Sequence, residues 1–445
     1  MLDVLKHRTY RHFFAAQVTS LIGTGMMTVA LGLLAYHLAG PGRASAVLGT
    51  ALAIKMVVYV LVSPVIASFA SRWSRKPLLV SMDLVRAALV LLLPWVTSVW
   101  QIYGLVAILQ TCSAAFTPAF QATIPDLLPD EGQYTRALSL SRLAYDLENL
   151  LSPLLAAVLL GIMTFRGLFG FTLAGFLVSA LLVVTVRLPQ RTPSAKPRPP
   201  VLDGIRRYLS TPRLRGMLSL SLAEAAGGAL VIVNTVVYVR QWLGETDQHV
   251  ALITAVFGGC SMVAALSLPR LIDALSDRAV MLSGALVTST GLALLAIAAP
   301  FVTGGWREVV LIVCWALIGL GYASILTPGG RLLKRSSDEE GRAAIFAAQF
   351  SLSHACWLVM YPLAGWLGTL QSPVWGALGM AAITLAAVML AIRFWPAHDP
   401  ETLGHKHTDL AVDHPHLQAH PVDAAGMHVH GYVINDEHPK WPRQG

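Results

Sequence analysis

The sequence predicts an all-α membrane protein in which twelve transmembrane helices form two repeated halves of six. Composition is the first observation: 55% of the 445 residues are hydrophobic and 13% are charged, which is typical of a chain embedded in lipid. The second is the recurrence of apolar runs that approach the roughly 20 residues a helix needs to cross a hydrocarbon layer. The third is an internal similarity between the two halves of the chain.

Twelve segments are predicted to span the bilayer. They cover residues 13–37, 46–70, 77–96, 101–123, 137–161, 167–187, 214–240, 248–270, 279–301, 307–330, 342–366 and 373–395. The first segment has no small-residue cleavage site after a short apolar core, so we expect it to be retained as a span. The four cysteines fall inside these segments and imply no disulfide framework.

Positive charge sets the predicted orientation. With the N-terminus in the cytoplasm, 25 Lys and Arg lie on the inner side and only four lie outside. The outer residues are Arg43, Arg166, Arg240 and Arg307, and three further cations lie within spans. The formal charge of +8 is therefore a topology signal. We expect a multi-pass protein of the bacterial inner membrane with both termini in the cytoplasm.

Loops and composition divide the chain into four parts. The first half is expected over residues 1–187, a linker over 188–212, the second half over 213–396 and a tail over 397–445. The Pro-rich start of the linker should be extended. Its later stretch "LDGIRRYL" should form a short amphipathic helix on the membrane surface.

The two halves align with each other at a shift of about 200 residues. A shift of 202 places residues 67–79 on 269–281, and a shift of 206 places Arg136 on Arg342. Two repeated halves of six spans are the organisation of the major facilitator superfamily, which the chain resembles over residues 10–396. The resemblance implies a secondary transporter that exposes a central site alternately to the two sides of the membrane.

The loop after the second span resembles part of the signature G-x-x-x-D-R-x-x-R-[RK] of that superfamily. Its kept positions are Arg72, Arg75 and Lys76, whereas the Gly and Asp of the signature are replaced. Asp273 and Arg278 approximate the same pattern in the second half. The resemblance implies that these residues make contacts at the inner gate, divided unequally between the halves.

Ionisable residues inside spans cost about 2.5 to 3.5 kcal/mol each on insertion scales, so each needs a partner or a function. Asp83 and Arg86 are three residues apart, and Arg142 and Asp146 are four apart, which puts each pair on one helix face. We interpret both pairs as mutually neutralising charges near the inner gate. Asp146 is also a candidate metal ligand if Arg142 moves away.

Lys55, Glu148, Glu224 and His354 remain after the pairs are set aside. At 1.5 Å per residue, each lies roughly 15 to 18 Å from its loop, which is near the midplane where secondary transporters bind their cargo. A structural ion pair between Lys55 and Glu148 and a neutral core His354 are the alternative interpretations. Residues 227–228, a Gly-Gly pair, are expected to interrupt the helix above Glu224.

The tail has a different composition from the rest of the chain, since nine of the fourteen histidines lie between His398 and His438. Imidazoles interleaved with Asp and Pro favour a metal-binding segment, which we expect to be disordered when unbound. The candidate ligands are His405, His407, His414, His416, His420, His428 and His430. A pH-responsive tail, an inert low-complexity end and a purification tag are the alternatives.

Twelve spans followed by a histidine-rich tail resemble the bacterial nickel-resistance exporters of the NreB type. The resemblance implies export of nickel, and also of cobalt or iron, by a monomer in the lipid bilayer. We expect Glu224 and His354 to bind the ion directly and Glu148 to exchange protons against it, because ligands must lose protons to bind metal. The tail is expected to concentrate ions at the inner mouth.

Two other functions stay open at this stage. An exporter of drugs or organic cations would use Trp and Tyr faces around one acid, and Glu224 would serve that purpose too. A metal sensor that binds through its tail without transport is the alternative of a different class. No nucleophile, phosphate-binding loop or nucleic-acid motif is present, so we expect no enzyme activity, no cofactor and no nucleic-acid partner.

Overall fold

A computed structural model gives the architecture of the chain. It describes residues 2–62, 74–128, 130–186, 201–272, 275–338, 341–370, 372–399, 402–406, 427–435, 437–438 and 441–442. For some helical positions, among them Arg142 and Asp146, the backbone alone is described. The predicted gate residues Arg72 and Asp273 lie outside the described residues, and so do His407, His414, His416 and His420.

Six long helices build the first half. After a short 3-10 helix at Leu2–Lys6, they are α1 (Arg8–Ala39), α2 (Ala44–Val57), α3 (Arg75–Leu92), α4 (Val99–Leu127), α5 (Glu131–Leu160) and α6 (Phe165–Thr185). α2 continues as a π-helix over Val58–Val62. Pro153 lies inside α5 without ending it.

The second half follows the linker helix α7 (Val201–Ser210). Its helices are α8 (Pro212–Val237), α9 (Asp247–Ile272), α10 (Asp277–Ala298), α11 (Trp306–Leu326), the short α12 (Gly329–Arg335), α13 (Arg342–Gly368) and α14 (Pro373–Phe394). α8 continues as a π-helix over Tyr238–Leu243.

Eleven of these helices are long and apolar enough to cross a membrane, counted over the described residues. The remaining long helix, α5, has 30 residues and a shorter apolar part at Leu151–Leu160, because its first half is more polar. It occupies the fifth place of the first half, so the fold has the predicted two sets of six. With an even number of crossings, the two ends of the transmembrane region lie on one face, here called the terminal side, and the other face is the opposite side.

The first helix of each half is followed by a glycine with positive φ. Gly40 follows α1 with φ of 71°, and Gly244 follows the π-turn of α8 with φ of 77°. Their ψ values differ, and only Gly244 is in the left-handed helical conformation. Residues other than glycine adopt a positive φ at a cost, so both positions favour glycine.

The halves meet along two helix pairs, α2 with α13 and α5 with α9. On the opposite side, one apolar cluster includes residues of both halves, such as Leu34, Leu48, Val236 and Phe257. On the terminal side, each half has apolar clusters of its own among the described residues. Over the described residues, the two halves therefore share packing on the opposite side and separate toward the terminal side.

Glycines bring α2 and α13 close together at the closed end. A Cβ placed on Gly49 would lie 2.4 Å from the Tyr361 carbonyl oxygen, and one on Gly365 would lie 2.6 Å from the Ser45 carbonyl oxygen. Side chains larger than hydrogen would push the helices apart at both positions. The predicted helix interruption at residues 227–228 is wrong, since α8 is continuous there. These two glycines instead give room to Thr288 and Trp357 of neighbouring helices.

The linker helix is confirmed at Val201–Ser210, but it packs against protein. Gly204 lies against the Ala344 backbone of α13, and the hydroxyl of buried Tyr208 donates a hydrogen bond to the Gln349 side chain. α7 therefore connects the linker to the terminal-side end of α13.

The tail contains strands, which composition did not predict. β1 (Thr402–His405) pairs antiparallel with β2 (His428–Gly431), and His405 lies directly opposite His428. Leu403, Tyr432 and Ile434 form a small buried cluster with Trp441 packed against it. For these described residues the expectation of disorder is wrong, because cross-strand pairing and a small apolar cluster give them a packed structure.

Candidate transport site and tail metal cluster

A polar cluster lies between α2 and α5 near the middle of the membrane. Lys55 and Glu148 are close enough to interact electrostatically, and the Lys55 Nζ lies 5.9 Å from the ring centroid of Tyr59. Tyr145, one turn before Glu148, interacts electrostatically with the Glu148 carboxylate. Both charged side chains are partly exposed at the surface of their helices, so the cluster combines a cation and an acid in one place.

Sequence reasoning missed several members of this cluster. Tyr59 and Tyr145 stand four residues after Lys55 and three before Glu148, which places each on the same helix face as the charge. Gln17 of α1 accepts a hydrogen bond of 2.9 Å from the hydroxyl of Ser141 and also contacts Tyr145. Polar residues within predicted spans were the available signal for all of them.

His354 of α13 faces this cluster from the second half. Its ring centroid lies 5.7 Å from that of Tyr59 and 4.0 Å from that of Phe350, and the ring interacts electrostatically with Lys55. Its Nδ1 lies 2.7 Å from the Phe350 carbonyl oxygen, which can only accept, so Nδ1 carries the proton. Nε2 of the neutral ring then has a lone pair, available for a proton or a metal ion.

Glu224 lies in a different environment, on α8 inside the second half. It is buried, and its carboxylate interacts electrostatically with Cys356 and Tyr361 of α13. A run of aromatic rings passes nearby: Phe257 to Tyr322 at 5.3 Å, Tyr322 to Trp357 at 6.5 Å, and Trp357 to Tyr361 at 5.0 Å between centroids. This arrangement is one acid beside several aromatic faces.

The central residues do not form one ligand shell in this conformation. His354 interacts with Lys55, whereas Glu224 interacts with Cys356, two residues further along α13. In the described part of the chain, the group of three or more ligand side chains close enough to hold an ion lies in the tail. The side chains of Asp146 and Arg142 are not described, so their predicted roles stay predictions.

Asp83 and Arg86 form the ion pair that their spacing predicts. Both are buried, the Ser179 hydroxyl donates a 2.7 Å hydrogen bond to Asp83, and the guanidinium lies 4.4 Å from the ring centroids of both Phe116 and Phe176. These contacts offset much of the cost of burying two charges, although Arg86 Nε makes no hydrogen bond to the described residues. The pair ties α3 to α6 within the first half.

Charged contacts repeat at the terminal side of both halves. In the first half, Arg75 at the start of α3 pairs with Asp126 at the end of α4, and Lys76 Nζ donates to the Val186 carbonyl at 3.0 Å. Val186 follows directly after α6, so these contacts join the ends of three helices.

The second half has the same arrangement with reversed charges. Asp277 at the start of α10 pairs with Arg331 of α12, with Nε to Oδ1 at 2.9 Å, and Arg278 Nε donates to the Trp395 carbonyl at 2.9 Å. Asp277 supplies the acid of this contact, a residue that the sequence analysis did not select. The 202-residue shift places Arg75 on Asp277 and Lys76 on Arg278, so the repeat extends to individual contacts.

Four histidines of the tail meet in one cluster, formed by His405, His428, His430 and His438. One ligand atom from each lies within 4.8 Å of the others. The Nε2 atoms of His405 and His438 are 2.9 Å apart, and those of His428 and His405 are 3.1 Å apart. Three members belong to the predicted ligand set. His438 is an addition that the strand pairing and the following turn bring into place.

The tail cluster is attached to the terminal-side end of the second half. Buried Arg213, the second residue of α8, donates to the Tyr432 carbonyl at 3.2 Å and lies 5.0 Å from the Trp441 ring centroid. Asp399 pairs with both Arg213 and Arg335. Burial raises the pKa of the Tyr432 phenol, which keeps it protonated in this interface.

The fold and these contacts define a membrane transporter with two pseudo-equivalent halves. A family model described as Major Facilitator Superfamily matches residues 13–241 and 217–421. The chain belongs to this superfamily. That membership makes it a membrane transporter rather than an enzyme.

Individual relatives are distant. Macrolide efflux protein A of Streptococcus pyogenes is 26% identical over 182 residues, which cover 40% of this chain and 44% of the relative. The chain thus aligns with less than half the length of that protein. An uncharacterized MFS-type transporter of Bacillus subtilis, YfiS, is 24% identical over 349 residues, 75% of this chain and 80% of the relative.

Solved structures share the fold at low identity. The nucleoside transporter NupG superposes with a TM-score of 0.67 at 14% identity, covering 86% of this chain and 100% of that chain. A D-xylose-proton symporter superposes with a TM-score of 0.61 at 14% identity, covering 86% of this chain and 97% of that one. These likenesses confirm the twelve-helix architecture.

Proposed function

We propose that the protein exports divalent transition-metal ions, nickel first among them and also cobalt or iron, across the bacterial inner membrane. The observation that carries this proposal is the cluster of four imidazoles at the terminal-side end of the second half. Imidazole nitrogen suits nickel, cobalt, copper, zinc and iron. The positive charge of the terminal-side loops supports placing this face in the cytoplasm, where an exporter meets its cargo.

Transport proceeds by alternating access in this proposal. The halves separate toward the terminal side, so an ion from the cytoplasm reaches Glu148, Lys55 and His354 between them. Approach of the halves on that side brings acids and the His354 Nε2 around the ion. Ligands that bind a divalent ion release protons, and proton uptake from the opposite side then drives the ion off. Glu148 is the proposed proton carrier, with Lys55 as its charge partner.

Glu224 is a further proposed ligand of the ion in this scheme. It lies beside the Cys356 thiol on α13, the helix that also carries His354. A rotation or bend of α13 during closure brings the carboxylate and the imidazole toward a common ion. The ligand set is therefore proposed for the closed intermediate, in which the halves share the cargo.

Efflux of macrolides or other bulky organic compounds is the second candidate. The aromatic run from Phe257 through Tyr322 and Trp357 to Tyr361, beside Glu224, is the observation that favours it. Aromatic faces around an acid attract organic cations. The relatives named for macrolide efflux also favour it. A sensor without transport is disfavoured by the superfamily membership.

Tolerance of cells that express the chain separates these functions. Metal export predicts higher tolerance to nickel, cobalt or iron, which Glu224→Gln and His354→Ala each abolish at equal protein level in the membrane. Trp306→Phe is the matched control, because this exposed residue lies at the start of α11 on the opposite side. Tolerance to macrolides alone, with unchanged metal tolerance, would establish the second candidate and reject the first.

A further inference from the structure

The tail cluster has the chemistry of a closed metal centre. Its four candidate ligands are all imidazoles, and His405, His428 and His438 are buried. Structural zinc sites close their shell with four protein ligands, whereas sites that exchange or activate a ligand keep one position open. A buried, four-nitrogen shell therefore favours an ion that stays bound over an ion in transit.

Hydrogen bonds fix the tautomers of two of these rings. His405 Nδ1 lies 3.2 Å from the Leu403 carbonyl oxygen, and His438 Nδ1 lies 3.0 Å from Asn435 Oδ1. Both oxygens accept, so in each neutral ring the proton is on Nδ1 and the lone pair on Nε2. Second-shell acceptors orient metal-bound histidines in the same way.

The two Nε2 atoms then face each other at 2.9 Å with a lone pair on each. Such an approach of two lone pairs is repulsive, and either a metal ion or a shared proton between the rings relieves it. In a tetrahedral site with metal to nitrogen bonds of about 2.0 to 2.1 Å, neighbouring ligand nitrogens are roughly 3.3 to 3.4 Å apart. The observed separations of 2.9 and 3.1 Å are close to this value, and the largest in the group is 4.8 Å. Small ring movements would complete the shell.

The strand register places the ligands on one face of the tail. His428 and His430 are two residues apart on β2, so they point the same way, and His405 pairs directly with His428. His438 joins from beyond β2, where its backbone N–H donates to Asn435 Oδ1 at 2.8 Å. One ion would therefore cross-link two strands and the following turn.

The same turn holds the tail on the membrane domain. The ring of Tyr432 lies 4.7 Å from that of His438, and its carbonyl accepts from Arg213. Trp441 covers both Tyr432 and the Arg213 guanidinium. A buried guanidinium is costly unless it is paired, and here two tail residues, Tyr432 and Asp399, supply its partners. Tyr432 thus connects the two sites, because its carbonyl contacts the membrane domain and its ring contacts the metal cluster.

We propose that His405, His428, His430 and His438 form a resident centre for one divalent ion of the cobalt to zinc series, and that this ion latches the tail to the terminal-side ends of α8 and α12. The centre differs from a site that merely concentrates cargo, because its occupancy controls whether the tail is docked. The centre deepens the proposed function, which draws on the same cluster. Ion retention by the purified protein tests the centre and vesicle uptake tests export, so the failure of one is distinguishable from the failure of the other.

Cobalt binding to the full-length protein in detergent tests the centre. After chelation and addition of Co²⁺, the chain should retain one ion with the intense visible absorption of a tetrahedral site, and excess Mg²⁺ or Ca²⁺ should not displace it. His428→Asn and His438→Asn should each lose the ion at least tenfold more readily. His12→Asn, a change at a histidine hydrogen-bonded to Thr185, should leave binding unchanged. The assignment would be overturned if both cluster variants retained the Co²⁺ ion. It would also be overturned if the ion were lost only from a variant in which His414, His416 and His420 are all replaced by Asn.

Docking is measured on the same preparation. Spin labels at Lys334 of α12 and Val433 of the tail should give a narrow, short distance distribution with diamagnetic Zn²⁺ in place of Co²⁺ and a broad one after chelation. Arg213→Gln and Asp399→Asn should keep the ion but broaden the distribution. A narrow distribution that survives chelation would refute the latch, as would broadening by neither variant.

Discussion

Close packing of α2 against α13 is predicted to set the balance between the two access states of the proposed transport cycle. Gly365→Ala places a methyl carbon 2.6 Å from the Ser45 carbonyl oxygen and 3.1 Å from the Ala46 Cα, whereas ordinary contacts begin at 3.4 Å. Neither neighbour is a flexible side chain, so the helices must separate by several tenths of an ångström. Overpacking of this kind costs about 1 to 3 kcal/mol.

This cost falls on the conformation that is closed on the opposite side. The methyl group is accommodated once α2 and α13 separate there, so the equilibrium shifts toward that state. A difference of about 1 to 3 kcal/mol corresponds to a roughly 5- to 150-fold change in the population ratio. The shift would reduce apparent affinity for cargo on the terminal side, because fewer molecules expose that side.

Spin labels report this shift directly. The four native cysteines are first removed, and cysteines for labelling are then introduced at Arg43 and Leu370. Both positions are exposed and lie near the ends of α2 and α13. Gly365→Ala should increase the long-distance fraction of their distribution. Gly104→Ala is the matched control, because a Cβ there meets nothing within 4 Å. Equal distributions in both variants would refute the packing argument.

Three further substitutions have defined outcomes. Asp83→Asn leaves the Arg86 guanidinium buried without its anion, so the protein should lose about 3 to 5 kcal/mol and melt at a lower temperature in detergent. Trp315→Phe removes the 2.8 Å hydrogen bond from Nε1 to the Thr235 hydroxyl in the core, which should cost about 1 to 3 kcal/mol in the same melting assay. Lys55→Met should abolish flux in proteoliposomes while the melting temperature stays within a few degrees, because its role is proposed to be in transport.

Each of these outcomes has a control. The Asp83→Leu, Arg86→Leu double variant removes both charges and should melt above Asp83→Asn, and the reverse order would contradict the ion-pair argument. Trp375→Phe changes an exposed indole and should leave the melting temperature unchanged. If Lys55→Met transports normally, the lysine is a structural partner of Glu148 and the transport role is rejected.

The architecture was predictable because lipid imposes strict requirements. Apolar runs such as residues 373–395 can only be helices in the bilayer, since every backbone polar group must be bonded internally. The 202-residue shift predicted the equivalence of Lys76 and Arg278, and both donate to the carbonyl that follows the last helix of their half. The acid of the second half was missed: residues near 273 resemble the motif in sequence, but Asp277 at the helix start makes the contact.

The depth of the site residues in the membrane was predictable, but the direction in which each side chain faces was not. A rise of about 1.5 Å per residue places Glu224 and His354 at similar heights, yet it does not fix how each helix is rotated against its neighbours. His354 and Cys356 are about 200° apart around α13, so one faces Lys55 and the other faces Glu224. The rotation of one helix relative to its neighbours depends on tertiary packing, such as the contact of the Trp357 ring with Gly228.

The tail shows the limit of composition. Its histidines predicted metal binding, and three of the candidates meet in the cluster. The strands were missed because the residues that pair, 402–405 and 428–431, are separated by 22 residues and each segment is only four residues long. His438 joins through a turn at Asn435 that no local periodicity indicates. Long-range pairing of two four-residue segments has no signature within either segment.

Metal accumulation in inside-out membrane vesicles tests the proposed export most directly. Under the predicted orientation, the terminal side of the protein faces the outside of these vesicles. An imposed pH gradient, acidic inside the vesicle, supplies the driving force for export. Vesicles with the protein should accumulate Ni²⁺ or Co²⁺ above control vesicles, and the accumulation should collapse with a protonophore and with Glu224→Gln. Accumulation of a macrolide, with metal content equal to that of control vesicles, would contradict metal export.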